Sequence, residues 1–525
     1  MTAAGISLRP GPATARRMAC LAAAGRLLRL ELKRNTVPYL LPLLAAVFYV
    51  NTVRTAGGFP PVWTLRASVI GDHMLFEFSA FAAGLAAWAG SRERRRKTLD
   101  LAAATPRAGW ARLSVTLAGT LCWLLLAFLA GVAAIYIQTA LQATWGGPPL
   151  WPVFAGAAGV IAVTMIGFTC GVVFPGRFTA PLVAIGVLVL YQTGLREALG
   201  ITPSSGTYAL LSPANSPPPV DAGVYYHVAP DVPITQVMFM GGIAIALFGV
   251  LGLATAPRQL ASAGGLRSLR AALARSDGWL LHPVAVILVA CGVAASWTAF
   301  ALAGTAKPDP AGGWQIPALH SAASDQPVPV TQDCTSSSGF QVCVHPAFSF
   351  YLHDLAAALD PVADEIAGLP GAPARAEEVA SESGGQDVQS GISGNPPVFE
   401  FTAERVGSMF GQFYGIPDPV GWREGFQQGL LDAFLTGRPP HAGPVPIQLG
   451  AAQQAVEDAL LTTAGTSLSA TIGKMLQNGQ PIAGPPAVAS AARRFAALPA
   501  SAQHAWLAAH LAALRAGTIT LAQIP

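Results

Sequence analysis

The chain has 525 residues, of which 52% are hydrophobic and only 11% charged, and its mean hydropathy is +0.47. Soluble domains usually carry about 25% charged residues, so the composition excludes a wholly water-soluble protein and points to one that lies at least partly in a membrane. The formal net charge of +4 hides an asymmetry, because residues 1–303 hold 22 Lys and Arg against 9 Asp and Glu, whereas residues 304–525 hold 9 against 18.

The long apolar runs are confined to the basic half. Met1–Asn35 is basic and has no apolar core, so no secretory leader is expected there. Arg26, Leu27, Leu28, Leu30, Leu32 and Lys33 suggest an amphipathic helix lying on the membrane surface; the alternative is a solvated basic tail. A helix rises about 1.5 Å per residue and needs about 20 apolar residues to cross the hydrocarbon core. Seven candidate spans follow: Val37–Thr52 with its flanks, Met74–Gly90, Leu113–Leu141, Pro152–Val173, Phe178–Gly194, Ile234–Ala254 and Pro283–Ala303. WGGPPLWP at 145–152 breaks the charge-free stretch between Arg112 and Arg177, and FPGR at 174–177 reads as a tight turn.

The positive-inside rule orients these spans. With the N-terminus in the cytoplasm, segments 1–36, 91–112, 177 and 256–282 are inside and hold 19 of the 22 cations of residues 1–303. The expected organisation is an interfacial helix in 1–35, a six-helix membrane domain in 36–255, a cytoplasmic linker in 256–282, a seventh span in 283–303 and an extracytoplasmic domain in 304–525. The expected fold class is therefore an all-α polytopic membrane protein of about seven transmembrane helices, plus a mostly α outer domain with a small β element.

Six cysteines fit that topology. Cys122, Cys170 and Cys291 fall in spans and Cys20 in the inner tail. Cys334 and Cys343 frame the turn-like TSSSGFQV in the oxidising exterior, where a disulfide can staple a hairpin. The alternative is a metal or redox pair with His345. Glu77, early in the second span, is either a pathway residue facing a cavity or a carboxylate that reaches the headgroups. Gly167-x3-Gly171 allows close helix packing.

The densest charge cluster stands at residues 86–106, AAWAGSRERRRKTLDLAAATP. Its cations can anchor the inner face of the membrane at the headgroups. An anchor does not need Glu93, Thr98, Leu99 and Leu101 at helical spacing with Pro106 as a stop. With those residues the chain resembles a permease subunit of a bacterial ABC transporter, of the type-2 exporter class. In that family the loop between the second and third spans carries a Glu, a Thr a few residues on, leucines and then Pro. The family often has Gly just before the Thr, where this chain has Lys97.

The resemblance covers residues 1–255. It implies that 92–111 is a coupling helix docking into a separate ATPase subunit, with Glu93, Arg94, Arg95, Arg96, Thr98, Leu99, Leu101 and Pro106 as the docking set. It also implies a dimer of permeases, two copies or a partner chain, within the cell membrane. This chain is expected to bind no cofactor; ATP and Mg belong to the partner. A phosphate-binding loop needs Gly-x4-Gly-Lys-Ser/Thr, and Gly473-Lys474 is followed by Met475.

In residues 304–525, Leu355, Leu359, Val362 and Ile366 give one helix an apolar face. Strand-like pieces stand at Ala374–Ala380 and Val398–Phe401, and further helices are expected at Glu404–Tyr414, Trp422–Leu435, Ala451–Thr463, Ala487–Leu498 and Ala500–Ala516. His-Glu-x-x-His is absent, and His320, His345, His353, His441, His504 and His510 are scattered, so no metal site and no catalytic residue are expected. Nor is nucleic acid expected as a partner. The leading expectation is an export permease. A membrane-anchored extracellular peptidase-like enzyme or pseudo-enzyme, and a membrane sensor or assembly factor without transport, remain as alternatives.

Overall fold

The computed structural model of the chain describes residues 23, 25–97, 109–198, 206–214, 222–261, 278–309, 313–336, 339–380, 390–402, 421–440, 449–465 and 485–525. The first regular element is helix α1, residues 25–34. Helix α2 (Val37–Phe48) carries Pro42 inside it and continues through a wider π-helical turn, Tyr49–Val53, into α3 (Arg54–Gly58). Helix α4 (Trp63–Val69) continues the same way through Ile70–Leu75 into α5 (Phe76–Gly90), followed by the single turn α6 (Arg92–Arg95). The remaining helices of the apolar half are α7 (Gly109–Ala140), α8 (Trp151–Val173), α9 (Thr179–Ala198), the short α10 (Thr207–Leu211), α11 (Asp231–Ala261) and α12 (Gly278–Ala303).

Among the described residues, four helices are long and apolar enough to cross a membrane: Gly109–Ala140, Trp151–Val173, Asp231–Ala254 and Pro283–Ala303. They mark the chain as a helical membrane protein. The other expected spans are built differently. The first two are assembled from shorter helices joined by π turns, and the fifth contains the shorter apolar run Thr179–Thr193. Apolar side chains left outside the bundle, among them Leu182, Ile185 and Val189 on α9 and Val286, Val293 and Trp297 on α12, give it an apolar perimeter.

Helix α8 is the most enclosed of the four, and glycine explains how. A Cβ on Gly167 would run into the carbonyl of Ala83, and one on Gly171 into that of Ala87. Removing both Cβ atoms lets α5 and α8 meet backbone to backbone, as small-x3-small pairs do. Phe78 and Phe128 add fully buried aromatic bulk nearby, their rings 6.4 Å apart.

The helices have a basic end, carrying α1 and residues 91–97, and a domain end. At the domain end Arg66 is 2% exposed with its guanidinium satisfied by neutral oxygens. Its Nη2 donates to Phe59 O at 3.1 Å and to Gln142 Oε1 at 2.6 Å, and its Nη1 to Gln138 O at 3.5 Å. The cation thereby sits at the C-terminal end of α7, where helix carbonyls carry partial negative charge.

Residues after 303 form an α+β domain. A short hairpin, β1 (Lys307–Pro308) and β2 (Trp314–Gln315), precedes a five-stranded mixed sheet. Its strands are β3 (Asp333–Ser336), β4 (Gln341–Val344), β5 (Arg375–Val379), β6 (Ser390–Ser393) and β7 (Val398–Thr402), in spatial order β3-β4-β5-β7-β6. The inner three run parallel and both edges antiparallel. Parallel neighbours need a crossover, and α13 (Leu352–Ile366) supplies it between β4 and β5. Its Leu355, Leu359, Val362 and Ile366 are all fully buried, each contributing about 1.5–3 kcal/mol.

Helices α14 (Gly421–Thr436), α15 (Ala451–Thr463), α16 (Pro486–Ala496) and α17 (Ala500–Arg515) complete that core around Phe399, Phe401, Phe426 and Phe434. The sheet is the expected small β element, with β5 and β7 at the expected strand-like pieces; β3, β4 and β6 are four-residue strands too short to show a period of two. The expected helix Glu404–Tyr414 lies outside the described residues. The domain core is continuous with Val62, Leu65 and Val224 of the membrane half, so the domain sits directly on the helix ends.

Candidate functional site

At the basic end, Arg92 joins three helices. Its Nη1 donates to Glu31 Oε2 at 2.9 Å and its Nη2 to Glu31 Oε1 at 2.6 Å, while Nη2 also reaches Thr116 Oγ1 at 3.3 Å. The paired bonds fit a guanidinium against a carboxylate, the strong geometry for this ion pair. The hydrogen bond to Glu31 outweighs burial and raises the Arg92 pKa above its ordinary value. Two further links hold α1 on α7: Trp123 Nε1 donates to Leu32 O at 3.0 Å, and Asn35 Nδ2 to Thr120 Oγ1 at 3.2 Å. Helix α1 is therefore fastened to the bundle through polar contacts.

The next residues divide the cluster. Arg95 folds back on α5, with its guanidinium 3.3 Å from the centre of the Trp88 ring, Nη2 donating to Trp88 O at 2.6 Å and Nε to Ser91 Oγ at 3.1 Å. Burial, then the neighbouring charges of Arg96 and Arg92, lower its pKa. Glu93 faces Arg112 at 3.9 Å. Arg94, Arg96 and Lys97 are exposed. Lys97 holds φ at 55°, the left-handed region that favours glycine. Thr98, Leu99, Leu101 and Pro106 lie outside the described residues. Sequence reasoning missed Glu31 as the anchor, although it is the only carboxylate in the first 71 residues.

The domain end holds two histidine junctions. His345 is fully buried, its ring centre 4.6 Å from that of Trp145 and 4.9 Å from that of Tyr225. Its Nδ1 accepts from Ala347 N at 3.0 Å. Burial, opposed weakly by Asp333, lowers its pKa to about 4, so the ring is neutral near pH 7. The buried Glu378 carboxylate accepts from the His345 amide at 2.8 Å. Burial first and then the Glu378 charge push the Tyr351 hydroxyl far above its ordinary pKa. Thr144 Oγ1 donates to Pro346 O at 2.6 Å, a further tie from the α7–α8 loop to the domain.

At the second junction, Asp231, fully buried at the first position of α11, accepts from Ile316 N at 2.7 Å through Oδ2. The same oxygen is 3.4 Å from His320 Nδ1, and His320 Nε2 is 2.9 Å from Asp325 Oδ1. Burial opposes charge on His320, but the Asp325 and Asp231 carboxylates prevail and raise its pKa above the usual histidine value.

Between these junctions and the helix ends lies a pocket of about 90 Å³, lined in part by Ser68, Trp151, His227, Gln236, Asp309 and Trp314. Glu77, the expected pathway residue, is half-buried in the first turn of α5 and does not line this pocket. Cys334 and Cys343 are cross-strand partners in β3 and β4 and are joined by a disulfide. His345, the third member of the alternative metal pair, is turned instead to Trp145 and Tyr225.

No family model, curated protein or solved structure matches the chain. A functional reading therefore rests on the residues themselves.

Proposed function

We propose that the chain is the membrane-spanning permease subunit of an ABC exporter, driven by a separate ATPase that docks at residues 92–111. In this reading the seven expected spans place the basic end in the cytoplasm and residues 304–525 outside the cell membrane. Two permease chains pair within the bilayer, and the apolar perimeter of α9 and α12 suits lipid or a second chain. The observation that carries the reading is the division of labour in the basic segment. Arg92 and Arg95 are spent on the bundle, and Arg94, Arg96 and Lys97 are presented outward directly below α5. A segment braced from within and charged without is what a docking element requires, since its displacement must reach the spanning helices. ATP and Mg are held by the partner, and the substrate leaves past the domain-end pocket.

The test captures, on the tagged permease expressed in its native membrane, an ATPase that carries a complete phosphate-binding loop. Replacing Arg94, Arg96 and Lys97 by Glu is expected to abolish capture while the permease folds as before. Capture that survives the three replacements rejects docking at this segment.

A further inference from the structure

The segment that leads from α12 to the sheet lies across the head of α11. In it the structure brings together Asp309, His320 and Asp325, whose ligand atoms all lie within 4.8 Å of one another. Sequence spacing gives no hint of this, because separations of 11 and 5 positions fit no metal-ligand motif. Two turns build it: His320 N donates to Ile316 O at 2.9 Å, and Ser324 N to Ser321 O at 2.8 Å. The His320 and Asp325 side chains are 9% and 33% exposed.

A fourth group stands behind the imidazole. Asp231 is fully buried, its Oδ2 lies 3.4 Å from His320 Nδ1, and its Oδ1 has no hydrogen-bond partner among the described residues. A proton on Nδ1 faces that carboxylate and leaves the Nε2 lone pair aimed at Asp325 Oδ1, 2.9 Å away. A lone pair that close to a carboxylate oxygen is repulsive unless a cation lies between them. A proton at Nε2 answers Asp325 but leaves the third carboxylate, Asp309, outside the contact. A divalent ion takes all three ligand atoms at once. The pattern of a histidine that binds metal through one nitrogen and gives the other N–H to a buried carboxylate is the usual support for such a ligand.

We infer that Asp309, His320 through Nε2, and Asp325 bind a divalent cation of the zinc class, with Asp231 as the carboxylate that orients the histidine. One imidazole and two carboxylates suit zinc, whose bonds of about 2.0–2.2 Å set tetrahedral ligand atoms roughly 3.4 Å apart. The 2.9 Å pair is near that spacing, and side-chain rotation of the two partly buried aspartates brings the third ligand in. Three protein ligands leave a fourth position for water. Asp309 also lines the domain-end pocket, so the ion stands at the pocket wall. Its structural effect is to clip residues 316–325 to the head of α11, and the inference does not depend on the permease reading.

The full chain, purified in detergent and stripped with chelator, is titrated with zinc alone and separately with cobalt alone. One equivalent of zinc is expected to bind and to raise the melting temperature, and cobalt to give the visible absorption of a tetrahedral site. Asp325→Asn and His320→Gln each remove the binding and the melting shift, while Asp231→Asn weakens zinc about 10–100-fold. Equal melting temperatures of wild type and variants in chelator show that the variants still fold. Zinc binding that is absent in the wild type, or unchanged in Asp325→Asn and His320→Gln, overturns the inference.

Discussion

The two ends of the helix bundle are fastened by different chemistry. At the basic end, α1, α6 and α7 are tied by an arginine fork on Glu31, a contact whose cation stays charged at every pH that proteins tolerate. At the domain end the ties are a neutral histidine wedged between Trp145 and Tyr225, a buried aspartate at the head of α11, and a disulfide hairpin nearby. The basic end is therefore held by a permanent cation, and the domain end by a ring that takes up a proton in acid. The basic end also separates its cations by role, since neighbours in sequence either brace the bundle or face outward.

Acid separates the two ends most strongly. The folded-state pKa of His345, about 4, lies below the ordinary value of 6.5, so the unfolded chain takes up the proton first. The stability this neutral ring contributes is complete above pH 6.5 and is lost as pH falls towards 4, a total of about 3 kcal/mol. Protease cleavage of the domain followed from pH 7 to pH 4 is expected to accelerate. His345→Gln flattens that pH dependence, and an unchanged profile in the variant discards the role given to the ring. A change of similar size follows from chemistry at the hairpin. Replacing Cys334 and Cys343 by Ser opens a loop with a sequence separation of 9 and is expected to cost the domain about 3 kcal/mol, read by denaturant unfolding.

At the basic end, Glu31→Gln leaves Arg92 with a neutral partner. The pair is partly solvated, with side-chain exposures of 26% and 20%, so the expected loss is only about 1–2 kcal/mol. It is measured as a lowered melting temperature. The smallest effect concerns Lys97. Its φ of 55° costs a side-chain-bearing residue about 1 kcal/mol, so Lys97→Gly is expected to stabilise the segment slightly. Slower amide exchange in residues 91–97 measures it, and faster exchange counts against the strain.

The sequence made some of this plain and concealed the rest for physical reasons. Apolar length located the four long helices, because desolvation demands it of any spanning segment. The face of Leu355, Leu359, Val362 and Ile366 was legible because helical periodicity is local. Gly167 and Gly171 announced a close approach without naming Ala83 and Ala87 as the surface met. What could not be read were pairings at long range: Glu31 with Arg92, 61 positions apart, and Asp231 with His320, 89 positions apart. No periodicity encodes such contacts. The basic run likewise gave no sign that Arg95 turns back to Trp88 while Arg94 and Arg96 do not.

The glycine contact between α5 and α8 has a mechanical consequence. Two helices that meet backbone to backbone at Gly167 and Gly171 have little room to slide there. Residues 91–97 form the foot of that pair, directly below Gly90. Under the proposed function, a push delivered there would reach both helices, and the far end of α8 begins at the wall of the pocket. Adding one methyl group at Gly167 or Gly171 would pry the pair apart.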